Sequence, residues 1–166
     1  SKIGFSVNQQ KPSENILFVR IDLSSLRGVG YKQKLSLGST HNFSFLIRRY
    51  LLTDLFVGKL AAILGRKTKE GGKEVSRYKG RDYFDLIWFL EKGVKVNYKY
   101  LNSLTGIKTE KKLLFGLDNK IKELSKKPRF LKEDLLPFFS NPKFVERFSQ
   151  NFFTLYKGLK KQLIGT

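Results

Sequence analysis

The chain has 166 residues, with 33 Lys and Arg against 14 Asp and Glu (formal net charge +19) and 40% hydrophobic residues, 15 Phe among them. That is enough apolar material for one globular core, yet no apolar run reaches the roughly 18 residues of a membrane span, and no secretion-signal pattern is present. There is no cysteine, which excludes disulfides and thiolate metal sites; a cytoplasmic location is the default expectation.

The chain starts at Ser1 and contains no Met, so a piece of a longer product is expected. The basic excess has two accounts. A field of that sign attracts polyanions such as nucleic acids or nucleotides, and a coding bias towards Lys, Phe, Ile and Asn gives the same composition without any such partner.

The first 50 residues lean towards strand. ENILFVRIDLSS alternates, with Leu17, Val19, Ile21 and Leu23 on one side and Phe18, Arg20, Asp22 and Ser24 on the other. KLSLGSTH reads as a second strand, and NFSFLIRRYLL as a third strand or the lead-in to a helix, giving a small antiparallel sheet with one buried face.

From Thr53 the period becomes helical. TDLFVGKLAAILGR predicts an apolar helix with Thr53 or Asp54 as N-cap, and RKTKEGGKEVSRYKG an exposed charged loop. RDYFDLIWFLEKG predicts a helix ended by Gly93, and NYKYLNSLTG a shorter one. TEKKLLFGLDNKIKELSKK is amphipathic through Leu113, Leu114, Leu117, Ile121 and Leu124. FLKEDLLPFF is helical up to Pro137, and Asn141-Pro142 starts a long last helix. The expected fold is α+β: a small antiparallel sheet (residues ~15–50) followed by a helical bundle, with 1–52 and 53–166 as one folded unit.

Few residues here suit chemistry. Lys59 falls in the apolar sector of its helix, between Leu55 and Ile63. It either snorkels out of the core or faces a cleft and holds a phosphate or carboxylate. Asp22 interrupts an apolar strand, as a solvated residue beside Arg20 or as a functional carboxylate. Asp82 suits a first helical turn, with Arg81 as a charge partner; Asp85 falls between Trp88 and Phe89 on the wheel and is expected to be largely covered. His41 is the only histidine, so a zinc site is not expected, and Gly71-Gly72-Lys73 lacks the spacing of a Walker loop.

In combination these motifs say more. Asp54 and Lys59 stand as D-x4-K on an apolar helix, and GRDYFDL follows about 20 residues later, across a charged loop. The arrangement resembles the C-terminal half of the AbiEii-type nucleotidyltransferase toxins of abortive-infection and toxin–antitoxin systems. In that family a helix of the form hhxxKhxAhh precedes a GRDhhDhhhL helix. Lys59 with Ala61 or Ala62, then Gly80, Arg81, Asp82, Asp85 and Leu86 match, over roughly residues 50–92. The resemblance implies a polymerase-β-like nucleotidyltransferase fold, Mg²⁺ held by carboxylates, and transfer of a nucleotide from an NTP to an acceptor. By that analogy Lys59 contacts the triphosphate with Arg81 beside it, and Asp82 supports the site. Asp22 is the catalytic strand carboxylate that accepts the acceptor's proton, and a metal ligand, while Asp54 and Asp85 are supporting, Asp85 in a structural role.

The family's metal signature, a Gly-Ser step followed by D-x-D, is missing: Gly38-Ser39 is followed by no Asp pair, and no D-x-D occurs anywhere. An enzyme is therefore expected only if a preceding segment supplies that signature, with this chain inactive alone. The implied partners are an NTP, tRNA or another RNA, and a cognate antitoxin, with no membrane. The basic stretches at Lys67–Lys79 and Lys108–Lys127 suit RNA or are simply solvated. The competing expectation is a non-catalytic basic nucleic-acid-binding module.

Overall fold

The structure, a computed structural model, describes residues 2–6, 16–20, 29–70, 72–127 and 129–164. The described chain is α+β and mostly helical. Its strands form three separate antiparallel hairpins: β1 (Lys2–Ser6) with β2 (Ile16–Arg20), β3 (Gln33–Ser39) with β4 (Ser44–Tyr50), and β5 (Lys67–Glu70) with β6 (Lys73–Ser76). Six α-helices are described: α1 (Leu52–Gly65), α2 (Gly80–Glu91), α3 (Tyr98–Thr105), α4 (Glu110–Ser125), α5 (Phe130–Leu135) and α6 (Pro142–Leu159).

The expected sheet with a buried face is corrected here. Among the described residues no ladder joins β1–β2 to β3–β4, and β3–β4 leaves its apolar side chains in solvent, Leu37 71% exposed with Leu35 and Leu46 beside it. A two-stranded ribbon buries a face only when a second layer lies on it, and none of the described elements does. Of the residues in the expected alternation, Leu17 and Val19 stand in β2 as a strand was expected there, and Ile21 and Leu23 lie outside the described residues. What ties this region to the helices is the segment before β3. Val29 N–H donates to Ser103 Oγ at 3.0 Å, Asn97 Nδ2 donates to the Gly30 carbonyl at 2.9 Å, and Tyr31 packs edge-on against Tyr50 and Tyr100.

The charged segment expected as a loop is instead the β5–β6 hairpin. Glu70 pairs with Lys73, and in the turn between the strands Gly72 has φ +78°, a backbone conformation that favours glycine. Arg77 N–H donates to the Arg66 carbonyl at 3.2 Å and closes the hairpin's base.

The helices follow their sequence periods. Leu113, Leu117, Ile121 and Leu124 of α4 and Val145, Phe148, Phe152 and Tyr156 of α6 are buried together with Phe56, Val57 and Leu60 of α1 and Leu86 and Leu90 of α2. Asn97, Thr109 and Asn141 cap α3, α4 and α6 by accepting backbone N–H bonds. After α2, Gly93 (φ +60°) and Val94 donate to the carbonyls of Leu90 and Phe89, the paired bonds that finish a helix on a left-handed residue. The start of α1 differs from expectation: Leu51 holds the cap position without a side-chain bond, and Asp54 falls inside the first turn.

Candidate functional site

Helices α1 and α2 are joined by a hairpin, so they pack antiparallel, and three pairs set their register. Phe56 stacks on Phe89 with ring centroids 4.8 Å apart, Lys59 meets Asp85, and Arg66 meets Asp82: positions rise along α1 as they fall along α2. The stacked rings fix the helix contact, and Lys59, one turn beyond Phe56, is thereby carried to the polar edge of α2.

At that edge Lys59 Nζ lies 2.7 Å from Asp85 Oδ2 and 3.6 Å from Asp82 Oδ1. Arg66 Nη2 donates to Asp82 Oδ2 at 2.9 Å. Asp82 is buried and takes a cation on each oxygen, whereas the Lys59 side chain is 40% exposed and that of Asp85 34%. The Arg66 Nε is buried with no hydrogen-bond partner. Burial pushes the neighbouring Tyr83 phenol well above its ordinary range, with Tyr78, Asp82 and Glu123 adding to the shift, so it stays neutral beside the carboxylate.

The group opens into a cleft of about 500 Å³ whose walls also carry Lys79, Arg81, Phe84, Phe138 and Phe139. Four cations (Lys59, Arg66, Lys79, Arg81) face two carboxylates (Asp82, Asp85), so positive charge remains after the internal pairs are satisfied. Arg81 does not pair with Asp82 as expected. Its guanidinium lies over the Phe138 ring, 4.1 Å from the centroid, and it stays exposed at the rim. The start of α2 is held from outside, because Gly80 N–H donates to Asp134 Oδ2 of α5 at 2.7 Å. A Cβ at Gly80 would sit 3.0 Å from that oxygen and 3.3 Å from Leu135 Cγ, so a larger residue there requires α5 to give by a few tenths of an ångström.

The structure thus brings together Lys59, Asp82, Asp85 and Arg81 and leaves Asp54 apart. Asp54 is 2% exposed, accepts from Lys32 N–H and from Asn97 Nδ2 (2.7 Å), and does not line the cleft. Its place is at the junction of the β3 lead-in and the α3 cap. Asp85, expected to be covered and structural, is half-buried and carries the shortest contact to Lys59. Asp22 lies outside the described residues. Sequence reading missed the cleft residues Arg66, Phe84, Phe138 and Phe139; the one signal for Arg66 was its place directly after a helix that ends in a Gly.

No family model, characterised protein or solved structure matches this chain. The site therefore rests on its own geometry. As a metal centre the cleft fits poorly: each carboxylate already has a cation within 4.0 Å, and among the described residues no three His, Cys, Asp or Glu converge. As an anion site it fits well, since a phosphate finds one half-exposed lysine, two rim cations and a partly buried guanidinium at once. No helix among the described residues is long and apolar enough to cross a membrane.

Proposed function

We propose that this chain is the C-terminal portion of a metal-dependent nucleotidyltransferase of the AbiEii toxin type, transferring a nucleotide from an NTP to an acceptor, with RNA as the acceptor, in the cytoplasm. The observation that carries the reading is the meeting of Lys59 with Asp82 and Asp85 in a cleft that keeps excess positive charge.

In this reading the triphosphate displaces Asp85 from Lys59. Lys59 then holds phosphate oxygens, and its charge counters what develops on the leaving group. Asp82, clamped by Arg66, holds Lys59 in place from behind, a positioning role. Lys79 and Arg81 meet the outer phosphates at the rim. Mg²⁺ in such an enzyme neutralises the triphosphate and lowers the pKa of the attacking hydroxyl. Its carboxylates belong to a Gly-Ser and D-x-D segment that this sequence lacks, so the part of this chain is to bind and orient. The exposed Lys108, Lys111, Lys112, Lys122, Lys126 and Lys127 give an RNA backbone a basic face, and a cognate antitoxin is the further partner of the reading.

A second reading, a non-catalytic basic nucleic-acid-binding module, is favoured by the charge of +19 and that same face. Transfer of labelled nucleotide to tRNA by the longer product separates the two. Lys59→Ala abolishes transfer and leaves RNA affinity nearly intact if the enzyme reading holds. A product that transfers no nucleotide from any NTP, and in which Lys59→Ala weakens RNA binding no more than loss of another surface lysine, supports the module instead.

A further inference from the structure

Phe84 has the phosphate cleft on one side and a second pocket on the other. This pocket, about 370 Å³ between α2 and α6, is walled by Trp88, Phe144 and Phe148 in addition to Phe84. Its size falls in the range of small-molecule sites, about 300–1,000 Å³. Two of its rings are left accessible, Trp88 at 39% and Phe144 at 44% exposure.

The rim carries Glu91, Arg147 and Asn151. Glu91 and Arg147 form no ion pair with a described residue, and Asn151 uses only its Nδ2, which donates to the Arg147 carbonyl at 2.8 Å. Flat aromatic faces with uncommitted donors and acceptors at their edge suit a planar heteroaromatic ring that also hydrogen-bonds. Along α2, Asp85 of the phosphate cleft and Trp88 of this pocket are three residues apart, about 4.5 Å of helical rise. That is on the scale of the one sugar that separates a phosphate from a base.

We propose that this pocket takes the base of the nucleotide whose phosphates occupy the Lys59 cleft; the inference rests on the nucleotidyltransferase reading above. The base stacks on Trp88 and Phe144, and its edge meets Glu91, Arg147 and Asn151. A nucleoside triphosphate is thereby held at both ends, with Phe84 as the wall between them.

Trp88 is the only tryptophan in the chain, so its emission reports this pocket. The 166-residue chain is titrated at fixed ionic strength with inorganic tripolyphosphate and with each of the four NTPs, following heat of binding and Trp88 fluorescence together. The expected result is that tripolyphosphate binds and leaves the emission nearly unchanged. At least one NTP quenches it and binds about tenfold tighter or more, the scale of a single base–aromatic stack. Asn151→Leu, on the exposed side of α6, and Phe144→Ala then bring NTP affinity towards that of tripolyphosphate without changing the latter. If NTPs and tripolyphosphate bind equally and the emission does not move, the base pocket is overturned while the phosphate cleft stands. If neither ligand binds, both readings fall.

Discussion

Asp54 and Lys59 stand five residues apart on α1, each a charged interruption of an apolar helix, yet the first is buried and the second half-exposed. Asp54 points to the junction with β3 and α3, where the Lys32 N–H and the Asn97 amide satisfy it almost completely out of water. Lys59 points along α2 into a cleft, with Asp85 as a partner that solvent still reaches. The difference teaches how to separate a structural charge from a working one. A buried charge whose partners are fixed backbone and amide groups holds the fold together. A half-exposed charge whose partner is itself half-exposed can exchange that partner for a ligand at little cost.

Four changes sharpen or break that contrast. The largest effect is expected for Asp54→Ala, which strands two part-buried donors and lowers stability by about 3 kcal/mol, read as a fall in the urea midpoint with an unchanged slope. A loss below about 1 kcal/mol would remove Asp54 from its structural role. Gly80→Ala follows, at about 2 kcal/mol, because the added methyl meets Asp134 and Leu135 at 3.0–3.3 Å and forces α5 away from the start of α2. Thermal unfolding measures it, and an unchanged midpoint would mean that α5 yields freely.

Lys59→Ala reverses the pattern. Stability changes by at most about 1 kcal/mol, while tripolyphosphate affinity, measured by calorimetry, falls about tenfold or more as a charged hydrogen-bond donor is lost. Equal losses of stability and affinity in Lys59→Ala and Asp54→Ala would dissolve the distinction between the two sites. The smallest effect is Gly58→Ala, next to Lys59 on the exposed side of α1. A Cβ there meets nothing within 4 Å, so stability rises by about 0.5–1 kcal/mol with phosphate affinity unchanged.

Much of the helical half was legible in the sequence. Leu113, Leu117, Ile121 and Leu124 repeat at the helical period, and Asn141-Pro142 and Gly93 mark ends through local backbone chemistry. The β5–β6 hairpin was hidden because Lys and Glu dominate its strands. The Gly71-Gly72 pair after Lys-Thr-Lys-Glu was the available signal in the sequence, since strands so rich in charge show no apolar alternation. The β3 and β4 strands were readable, but their partners were not, since register between hairpins depends on what lies across the sheet.

The candidate site divides along the same line. Lys59 stood out because it breaks the apolar pattern of its helix, and Asp82 through the GRDYFDL segment on which the resemblance rests. Arg66 did not, because its contact with Asp82 spans 16 residues and depends on a hairpin turning the chain back on itself. Asp85 was expected to be covered for a similar reason: a helical wheel gives the direction of a side chain but not which element stands in that direction.

The sequence by itself therefore determined where the helices run, which of their faces are apolar, and that a lysine and an Asp-x-x-Asp pair lie on neighbouring helices, because propensity, period and capping act within a few residues. Only the tertiary structure decided that Asp85 and Arg66 complete the group around Lys59 and Asp82, that Asp54 belongs to another junction, and that an aromatic pocket adjoins the cleft across Phe84. Those are matters of packing between segments distant in the chain. The stacked Phe56 and Phe89, rather than any charged residue, set the register in which the charges meet.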